Sequence, residues 1–273
     1  MNKKNEQSLP QLEMLFHQPG TVHYLSDPAG RQNFEPAYIA VRKAEQRVYD
    51  DAQVRRLPQV DAGHPHAREW ALRRGSLARL LADLQRGGAV HTILDLGCGN
   101  GWMTHRLGAL PGSRVLGLDL NVYELEQAAR VFADRPQLAF AYGDIFEDIL
   151  PPASFTRIIL ASCIQYFPDL PALIEWLLPL LAADGQIHIL DSPFYTPQTI
   201  EAARQRTRDY YAGLGFPEMA GFYFHHQQNE LARFRLQVCY DPASWGQKLS
   251  RRLGGKTSSP FVWLKISAGE AGR

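Results

Sequence analysis

The amino-acid sequence predicts an α/β fold: a mostly parallel seven-stranded sheet with an antiparallel last strand, helices on both faces and an N-terminal helical cap. Three observations support this prediction. From residue 90 onward, apolar segments of strand length alternate with helical segments. The first apolar segment runs directly into a glycine-rich turn, ILDLGCGNGW at residues 93–102. Before residue 90, two stretches have the apolar spacing of amphipathic helices.

Composition and charge argue against several classes of function. The chain has 273 residues, and its 29 basic and 28 acidic side chains leave a formal net charge of +1. This balance gives no long-range field that would attract nucleic acid or an anionic membrane surface. The three cysteines form no CxxC pair and are too few for a disulfide framework, which favours a reduced, cytoplasmic setting.

Neither a signal peptide nor a membrane-spanning helix is expected. The opening MNKKNEQSLPQ is basic but has no apolar segment behind it. The most apolar stretch, ALIEWLLPLLAA at residues 172–183, is short and contains Glu175 and Pro179.

Residues 1–89 are predicted to form an N-terminal extension and a helical cap. Residues 1–35 are polar and rich in proline and glycine, which favours a loop with at most short helical turns. Residues 36–58 place apolar side chains at three- and four-residue steps until a proline ends the pattern. Residues 66–88 repeat this spacing and end in a glycine pair. The main domain is expected to occupy residues 90–273.

Five strands with little polar alternation follow, as is typical of strands covered on both faces. They are predicted at residues 91–96, 114–119, 138–142, 156–162 and 185–191. Between the second and third strands, the helical segment NVYELEQAARVFAD begins at Asn121 and has Glu124 three positions later, which is close to a capping box.

The last two strands have different patterns. RFRLQVCY, residues 233–240, alternates strictly between polar and apolar side chains, as a half-exposed antiparallel edge strand does. FVWLKI, residues 261–266, is apolar on both faces. The final strand is therefore predicted to lie inside the sheet, with the alternating strand at the edge.

The glycines at positions 97, 99 and 101 indicate a backbone that must come very close to another group. A dinucleotide-binding turn has the pattern GxGxxG, but Trp102 stands where the third glycine belongs. A phosphate-binding P-loop requires GK[ST], which this turn lacks. The pattern that remains is DxGxGxG, spelled DLGCGNG from Asp95.

This turn resembles the nucleotide-binding loop of class I, Rossmann-like S-adenosylmethionine-dependent methyltransferases. The resemblance continues in order over residues 90 to about 192: LGLDLN ends the second strand, AYGDIF follows the third, IILASCIQYF contains the fourth, and LLAADGQIHIL leads into the fifth. The two-strand ending also matches this family. The resemblance implies S-adenosyl-L-methionine as the cofactor.

The resemblance further implies a set of cofactor-binding residues. Asp119 is expected to accept both ribose hydroxyls, and Asp144 the adenine amino group, with Leu120 and Ile145 on either side of the base. Taken singly, such strand-end acids are more often helix caps, and only the ordered set favours binding. The complete set is Asp95, Gly97, Cys98, Gly99, Asn100, Gly101, Asp119, Leu120, Asp144, Ile145 and Ser162.

The segment GFYFHH, residues 221–226, is expected on the acceptor side of the site. His226 or His225 is the candidate general base, because a histidine with a pKa of about 6.5 can deprotonate a hydroxyl. The alternative is an ordinary surface or hydrogen-bonded histidine. Tyr166 is a third candidate, with core packing as its alternative. No metal site is expected, since adjacent residues on a strand point to opposite faces.

Three other residues have open alternatives. Arg42 and Arg73, on the predicted cap helices, are candidates to bind the cofactor carboxylate or an acidic acceptor, but local ion pairs on a solvated face are the simpler interpretation. Asp191 begins DSPFY, which resembles the [DNS]PP[YF] motif of nucleic-acid amino-methyltransferases but follows the fifth strand instead of the fourth and lacks the second proline. We interpret it as a turn at the substrate entrance.

The sequence therefore predicts an enzyme that transfers a methyl group from S-adenosylmethionine to a small-molecule acceptor. Three alternatives remain at this point: an NAD(P)-binding oxidoreductase, a methyltransferase that acts on a macromolecule, and a binding module without catalytic activity. Trp102 disfavours the first alternative, and the absence of a basic aromatic stripe disfavours a nucleic-acid substrate.

Overall fold

The computed structural model describes residues 12–31, 34–86, 88–245, 247 and 259–270. The strands of this part of the chain are β1 Val22–Tyr24, β2 Thr92–Leu96, β3 Arg114–Asp119, β4 Leu138–Tyr142, β5 Phe155–Ala161, β6 Leu181–Leu190, β7 Phe194–Tyr195, β8 His226–Gln227, β9 Phe234–Tyr240 and β10 Trp263–Glu270. The α-helices of the same ranges are α1 Phe34–Ala44, α2 Asp51–Arg56, α3 Ala67–Leu84, α4 Trp102–Leu107, α5 Val122–Val131, α6 Leu170–Leu177 and α7 Ile200–Leu214.

The main sheet has eight strands in the order β1-β4-β3-β2-β5-β6-β10-β9. Strands β1 to β6 pair in parallel, whereas β10 is antiparallel to β6 and to β9. The predicted fold class is confirmed, with the final strand inside the sheet and the alternating strand at its edge. β7 and β8 form a separate two-stranded sheet.

The predicted number of seven strands is wrong, because residues 22–24 add an eighth strand. The polar, proline- and glycine-rich sequence around this segment predicts a loop. In the structure it pairs in parallel with β4, with Val22 opposite Phe140, and the backbone N–H of Leu25 donates to Tyr142 O at 2.9 Å. Three residues between proline- and glycine-rich segments are too few to show an alternating pattern, so only the free edge of β4 fixes this strand.

Helices cover both faces of the sheet. Successive residues of β2 belong to different apolar clusters: Leu94 and Leu96 on one face, Ile93 on the other. The cluster that contains Ile93 also contains the buried side chains of α3, among them Leu77 and Leu80. The central strands are therefore covered by apolar side chains on both sides, which explains their unbroken apolar sequence.

The region before residue 90 contains the helices α1, α2 and α3. The predicted helical stretch 36–58 is divided into α1 and α2, with Gln46 in a left-handed conformation between them (φ 57°). Asp50 then starts α2 with a capping box: its side chain accepts from Gln53 N, and the Gln53 side chain accepts from Asp50 N. β1 and α3 precede residue 90 in the chain, yet both pack on the main sheet. The division into residues 1–89 and 90–273 therefore stays a prediction.

The helices of the described residues are too short or too polar to cross a membrane.

Candidate functional site

A cavity of about 1090 Å³ lies at the carboxyl ends of the parallel strands, where ligands bind in open α/β sheets. Its floor is formed by the segments that follow β2, β3, β4, β5 and β6. The helices before β2 contribute Tyr38, Arg42, Glu69, Trp70 and Arg73 to the opposite wall. The volume is sufficient for a nucleoside-sized ligand together with a second small molecule.

The glycine-rich loop brings its backbone to the cavity floor. Gly97, Gly99 and Gly101 all have positive φ, at 73°, 51° and 72°. The loop is fixed to the neighbouring strand by the N–H of Gly97, which donates to Leu118 O at 2.8 Å. At Gly99, a Cβ would lie 3.1 Å from Glu124 Oε2, so the absence of a side chain keeps this carboxyl close to the loop.

Asp119 lines the cavity and also organises the glycine-rich loop. Its Oδ2 accepts from Gly99 N at 2.8 Å, and its Oδ1 accepts from Leu120 N at 2.7 Å and from Asn121 N at 2.9 Å. Burial raises the pKa of this carboxyl, and the three backbone donors act in the opposite direction. Asp119 therefore lies in the cavity, as predicted, and it also has the alternative role of accepting hydrogen bonds from nearby backbone N–H groups.

Glu124 is a cavity residue that the sequence pattern does not predict. Asn121 caps α5, with Oδ1 accepting from Glu124 N at 2.9 Å, as half of a capping box. The other half is not formed, because Asn121 N already donates to Asp119, and the Glu124 carboxyl lies instead beside Gly99 in the cavity. Burial raises the pKa of Glu124 to about 7, although the charge of Arg42 lowers it.

The segment after β4 forms the far end of the floor. Asp144 and Ile145 line the cavity, as does Leu120 across from them. Ser26 Oγ accepts a hydrogen bond of 2.9 Å from Asp144 N, and Asp144 Oδ1 accepts one of 3.1 Å from Phe146 N. The three residues that the resemblance assigns to adenine binding are therefore together in one place.

Two strained residues lie side by side at the ends of β5 and β6. Ser162 and Asp191 have φ of 57° and 53°, which is uncommon for residues other than glycine. Ser162 Oγ donates to Asp191 O at 2.8 Å, and Ser76 Oγ donates to Asp191 Oδ1 at 2.6 Å. Burial raises the pKa of Asp191, against the effect of the Ser76 hydrogen bond. Both residues line the cavity, and such strain is concentrated at functional sites.

Two residues of the predicted cofactor set lie behind the loop instead of in the cavity wall. Asp95 is 2% exposed, and its Oδ2 accepts from Thr104 Oγ1 at 2.6 Å. Gly101 begins α4 and faces the rings and methyl groups of the core. Cys98 and Asn100, between them in sequence, do line the cavity.

The two candidate histidines do not line the cavity. His226 is buried in β8: its Nε2 lies 3.0 Å from Ile164 O, and its Nδ1 lies 3.4 Å from Glu230 Oε2. His225 Nε2 lies 3.0 Å from Thr207 Oγ1 on α7. Burial and the charge of Arg204 lower the pKa of His225. The aromatic half of the GFYFHH segment, residues 222–224, does reach the cavity.

Tyr166 lines the cavity, with its ring 5.9 Å from that of Tyr38 in an edge-on contact. Burial raises the pKa of its hydroxyl, against the charge of Arg42. The hydroxyl is therefore protonated at neutral pH and can donate a hydrogen bond to a ligand.

Arg42 and Arg73 face the cavity, and both also form ion pairs. Arg73 Nη2 lies 2.9 Å from Glu69 Oε1, and Arg47 donates two hydrogen bonds to the same carboxylate. Burial alone would raise the pKa of Glu69, but the hydrogen bond from Arg47 and the charge of Arg73 lower it to about 2. Arg42 Nη1 lies 3.5 Å from Glu45 Oε2.

Asp95 leads to a prediction about stability and pH. Burial raises its pKa to about 7, against the Thr104 hydrogen bond, while the unfolded value is near 3.8. Since the unfolded chain loses this proton first, stability should fall between about pH 4 and pH 7 and level off above. Asp95→Asn keeps an acceptor for Thr104 but cannot ionise, so it should remove roughly 2–4 kcal/mol of this fall.

Urea unfolding at pH 5 and pH 8 measures this effect. Glu126→Gln is the control, because Glu126 is exposed on α5. Wild type and the control should lose similar free energy of unfolding between the two pH values, and Asp95→Asn should lose less. Equal losses in all three proteins would contradict the prediction.

Comparison with known proteins finds similarity in the segment that forms the cavity floor. Residues 93–185 match the family model described as a methyltransferase domain. The malonyl-[acyl-carrier protein] O-methyltransferase of Halalkalibacterium halodurans is 33% identical over 95 residues, which are 32% of this chain and 35% of that protein. The nocamycin O-methyltransferase of Saccharothrix syringae is 32% identical over 117 residues, which are 41% of each. The matches thus span less than half the length of these relatives.

A solved structure has the same fold. The geranyl diphosphate C-methyltransferase from Streptomyces coelicolor A3(2), in complex with Mg²⁺, geranyl diphosphate and S-adenosyl-L-homocysteine, superposes with a TM-score of 0.51 at 16% identity, over 77% of this chain and 86% of that chain. The family model thus covers residues 93–185, and the solved structure shows that the chain has the Rossmann-like methyltransferase fold.

Proposed function

We propose that the chain is an enzyme that transfers the methyl group of S-adenosylmethionine to a small-molecule acceptor. The observation that carries this proposal is the acidic floor of the cavity, where Asp119 and Glu124 flank the backbone of Gly99. S-adenosylmethionine has an ammonium and a sulfonium cation and no phosphate. A floor of carboxylates and glycine backbone suits this ligand and is unfavourable for a pyrophosphate.

The cofactor would lie along the carboxyl ends of β2, β3 and β4. In this arrangement Asp119 accepts the ribose hydroxyls, Asp144 faces the adenine amino group, and the base lies between Leu120 and Ile145. The backbone of residues 97–100 approaches the methionine end, and Glu124 provides a negative charge for the ammonium. Asp95 and Gly101 contribute by supporting the loop from behind.

Methyl transfer from a sulfonium is an in-line displacement. A lone pair of the acceptor attacks the methyl carbon, the carbon–sulfur bond breaks, and the sulfonium becomes a neutral thioether. The task of the protein is to align the three atoms in a site without water, for which effective concentrations can reach about 10⁵ M or more. The aromatic wall supports this role: Tyr38 and Tyr166 meet edge to face, and Trp70 packs edge-on against Trp102 at 5.3 Å.

A histidine base is not part of this mechanism, since His225 and His226 have protein partners outside the cavity. Two other ionisable groups, Tyr166 and Asp191, do line the cavity. Asp191 could accept a proton from an acceptor hydroxyl if the acceptor requires deprotonation, whereas the protonated Tyr166 would donate a hydrogen bond. A near-neutral chain also favours a small molecule over nucleic acid, and a cytoplasmic location is proposed on the same grounds as the reduced cysteines.

Calorimetric titration with four ligands tests the proposal. We expect S-adenosylmethionine and S-adenosylhomocysteine to bind at least tenfold more tightly than NAD or NADP. The reason is that Trp102 is buried where a dinucleotide fold has its third glycine, and the cavity floor is acidic. Tighter binding of NAD or NADP would overturn the proposed function in favour of an oxidoreductase.

A further inference from the structure

A second cavity, of about 410 Å³, adjoins the first on the side of the N-terminal helices. The two cavities share wall residues, among them Tyr38, Arg42, Tyr166 and Tyr223. A molecule in the second cavity would therefore lie directly beside a cofactor in the first. The volume is at the lower end of the range for small-molecule sites and suits a molecule of about one ring.

Positive charge predominates in the wall of this second cavity. Its charged side chains are four arginines and two glutamates: Arg42, Arg47, Arg73, Arg206, Glu45 and Glu69. This is the reverse of the floor of the first cavity, which carries Asp119, Glu124 and Asp144. A cationic cofactor and an anionic acceptor would each meet complementary charge.

Both glutamates are already engaged by the protein. Glu69 accepts two hydrogen bonds from Arg47, at 2.9 and 2.6 Å, and another from Arg73 at 3.0 Å. Glu45 accepts from Tyr210 Oη at 2.5 Å and lies 3.3 Å from Arg47 Nε. Arg47 therefore directs all three of its guanidinium nitrogens to these two carboxylates.

Arg42 is the arginine best placed to bind a ligand. Among the described residues its ion-pair partner is Glu45, at 3.5 Å, which is too long for a strong hydrogen bond. Its Nε is buried and has no hydrogen-bond partner within the described ranges. A buried guanidinium N–H without an acceptor is unfavourable, and a carboxylate is the acceptor that matches its planar geometry.

Tyrosines form most of the remaining wall. Six of them line the second cavity: Tyr38, Tyr166, Tyr195, Tyr210, Tyr211 and Tyr223. Burial raises the pKa of the Tyr166 and Tyr211 hydroxyls, so both stay protonated and act as donors. Their rings provide flat apolar surfaces, which suit an aromatic or otherwise planar ligand.

We infer that the second cavity is the acceptor subsite, and that the acceptor is a small carboxylic acid with a planar apolar body whose carboxylate is bound by Arg42. This inference rests on the proposed function, because it needs the cofactor in the adjoining cavity. The buried Nε–H of Arg42, which has no acceptor among the described residues, matches one oxygen of a monoanionic carboxylate. The protonated tyrosine hydroxyls add neutral donors to the same anion.

The test uses the full chain saturated with S-adenosylhomocysteine and three pairs of probes: benzoate and benzamide, phenylacetate and phenylacetamide, cinnamate and cinnamamide. The two members of each pair have nearly the same shape, but only the acid carries a negative charge. Calorimetry should give at least one acid that binds wild type ten or more times more tightly than its amide. Arg42→Gln should reduce this ratio to less than twofold, and Arg42→Lys should give an intermediate ratio.

Two further variants test whether the preference for an acid over its amide depends on Arg42 itself and on the second cavity. Lys43→Gln removes an exposed charge next to Arg42 and should keep the wild-type ratio. Thr207→Phe fills the second cavity from α7 without touching the first, so it should weaken all acids at unchanged affinity for S-adenosylhomocysteine.

The outcomes are distinguishable. If wild type does not bind S-adenosylhomocysteine, the proposed function fails. If it binds, but no acid is preferred over its amide, or the preference survives in both Arg42→Gln and Thr207→Phe, the acceptor inference alone is overturned.

Discussion

Replacement of Asp119 by alanine should weaken the binding of S-adenosylhomocysteine by about a hundredfold or more. The carboxylate fixes three backbone N–H groups, those of Gly99, Leu120 and Asn121, and it is the proposed acceptor for the ribose hydroxyls. Hydrogen bonds to a charged group contribute about 1.5–3 kcal/mol each, and 1.4 kcal/mol corresponds to a factor of ten in affinity. Calorimetric titration measures the loss directly.

The control is an acid that has only the local role. Asp169 caps α6, where its Oδ1 accepts from Ala172 N at 2.9 Å, and it does not line the cavity. Asp169→Ala should lower the free energy of unfolding by about 0.5–2 kcal/mol and leave the affinity for S-adenosylhomocysteine unchanged. If Asp119→Ala behaves in the same way as Asp169→Ala, the carboxylate is only a backbone anchor.

The carboxyl edge of the sheet could be predicted from sequence because it depends on local patterns. Each apolar run ends where its strand ends, and parallel strands bring these ends to one edge. Gly97, Asp119, Asp144 and Ser162 follow four different strands, and all of them line one cavity in the structure. Strand periods and chain order were enough to bring them together.

The opposite wall could not be predicted, because it depends on contacts between distant parts of the chain. Ser76 binds Asp191 across 115 positions, and Arg47 binds Glu69 across 22, although no local pattern links either pair. The second cavity is lined by side chains of α1, α3 and α7, which lie far apart in the sequence. For the arginines of the cap, sequence alone could not separate a solvated ion pair from a ligand site.

Glu124 and His226 illustrate two different errors. The capping motif predicts that the Glu124 carboxyl accepts from the backbone N–H of Asn121. In the structure this N–H donates to Asp119 instead, and the Glu124 carboxyl therefore lies in the cavity. His226 lies beside residues that do reach the cavity, but its pairing with Phe194 in the two-stranded sheet turns the ring toward Ile164 O. Position in the sequence therefore led to a segment that reaches the cavity, but not to the side chains that line it.

Gly101→Ala should destabilise the protein by about 2–5 kcal/mol and weaken cofactor binding with it. Gly101 has a φ of 72°, and a left-handed conformation costs alanine about 1–2 kcal/mol. A Cβ there would also lie 2.6 Å from Phe140 Cε1 and 2.8 Å from Ala128 Cβ. Both neighbours are buried, so overpacking should add about 1–3 kcal/mol. Urea unfolding measures the loss of stability.

Two other glycines separate these contributions. Gly215 has a φ of 88° with no atom within 4 Å of a Cβ, so Gly215→Ala should cost only the conformational part, about 1–2 kcal/mol. Gly213 lies inside α7 with equally open surroundings, and Gly213→Ala should stabilise the chain by about 0.5–1 kcal/mol. Affinity for S-adenosylhomocysteine should fall only in Gly101→Ala, because only this glycine belongs to the loop at the cavity floor. Equal losses of stability at positions 101 and 215 would mean that backbone conformation, and not the close contact with Phe140, is the reason for glycine in the loop.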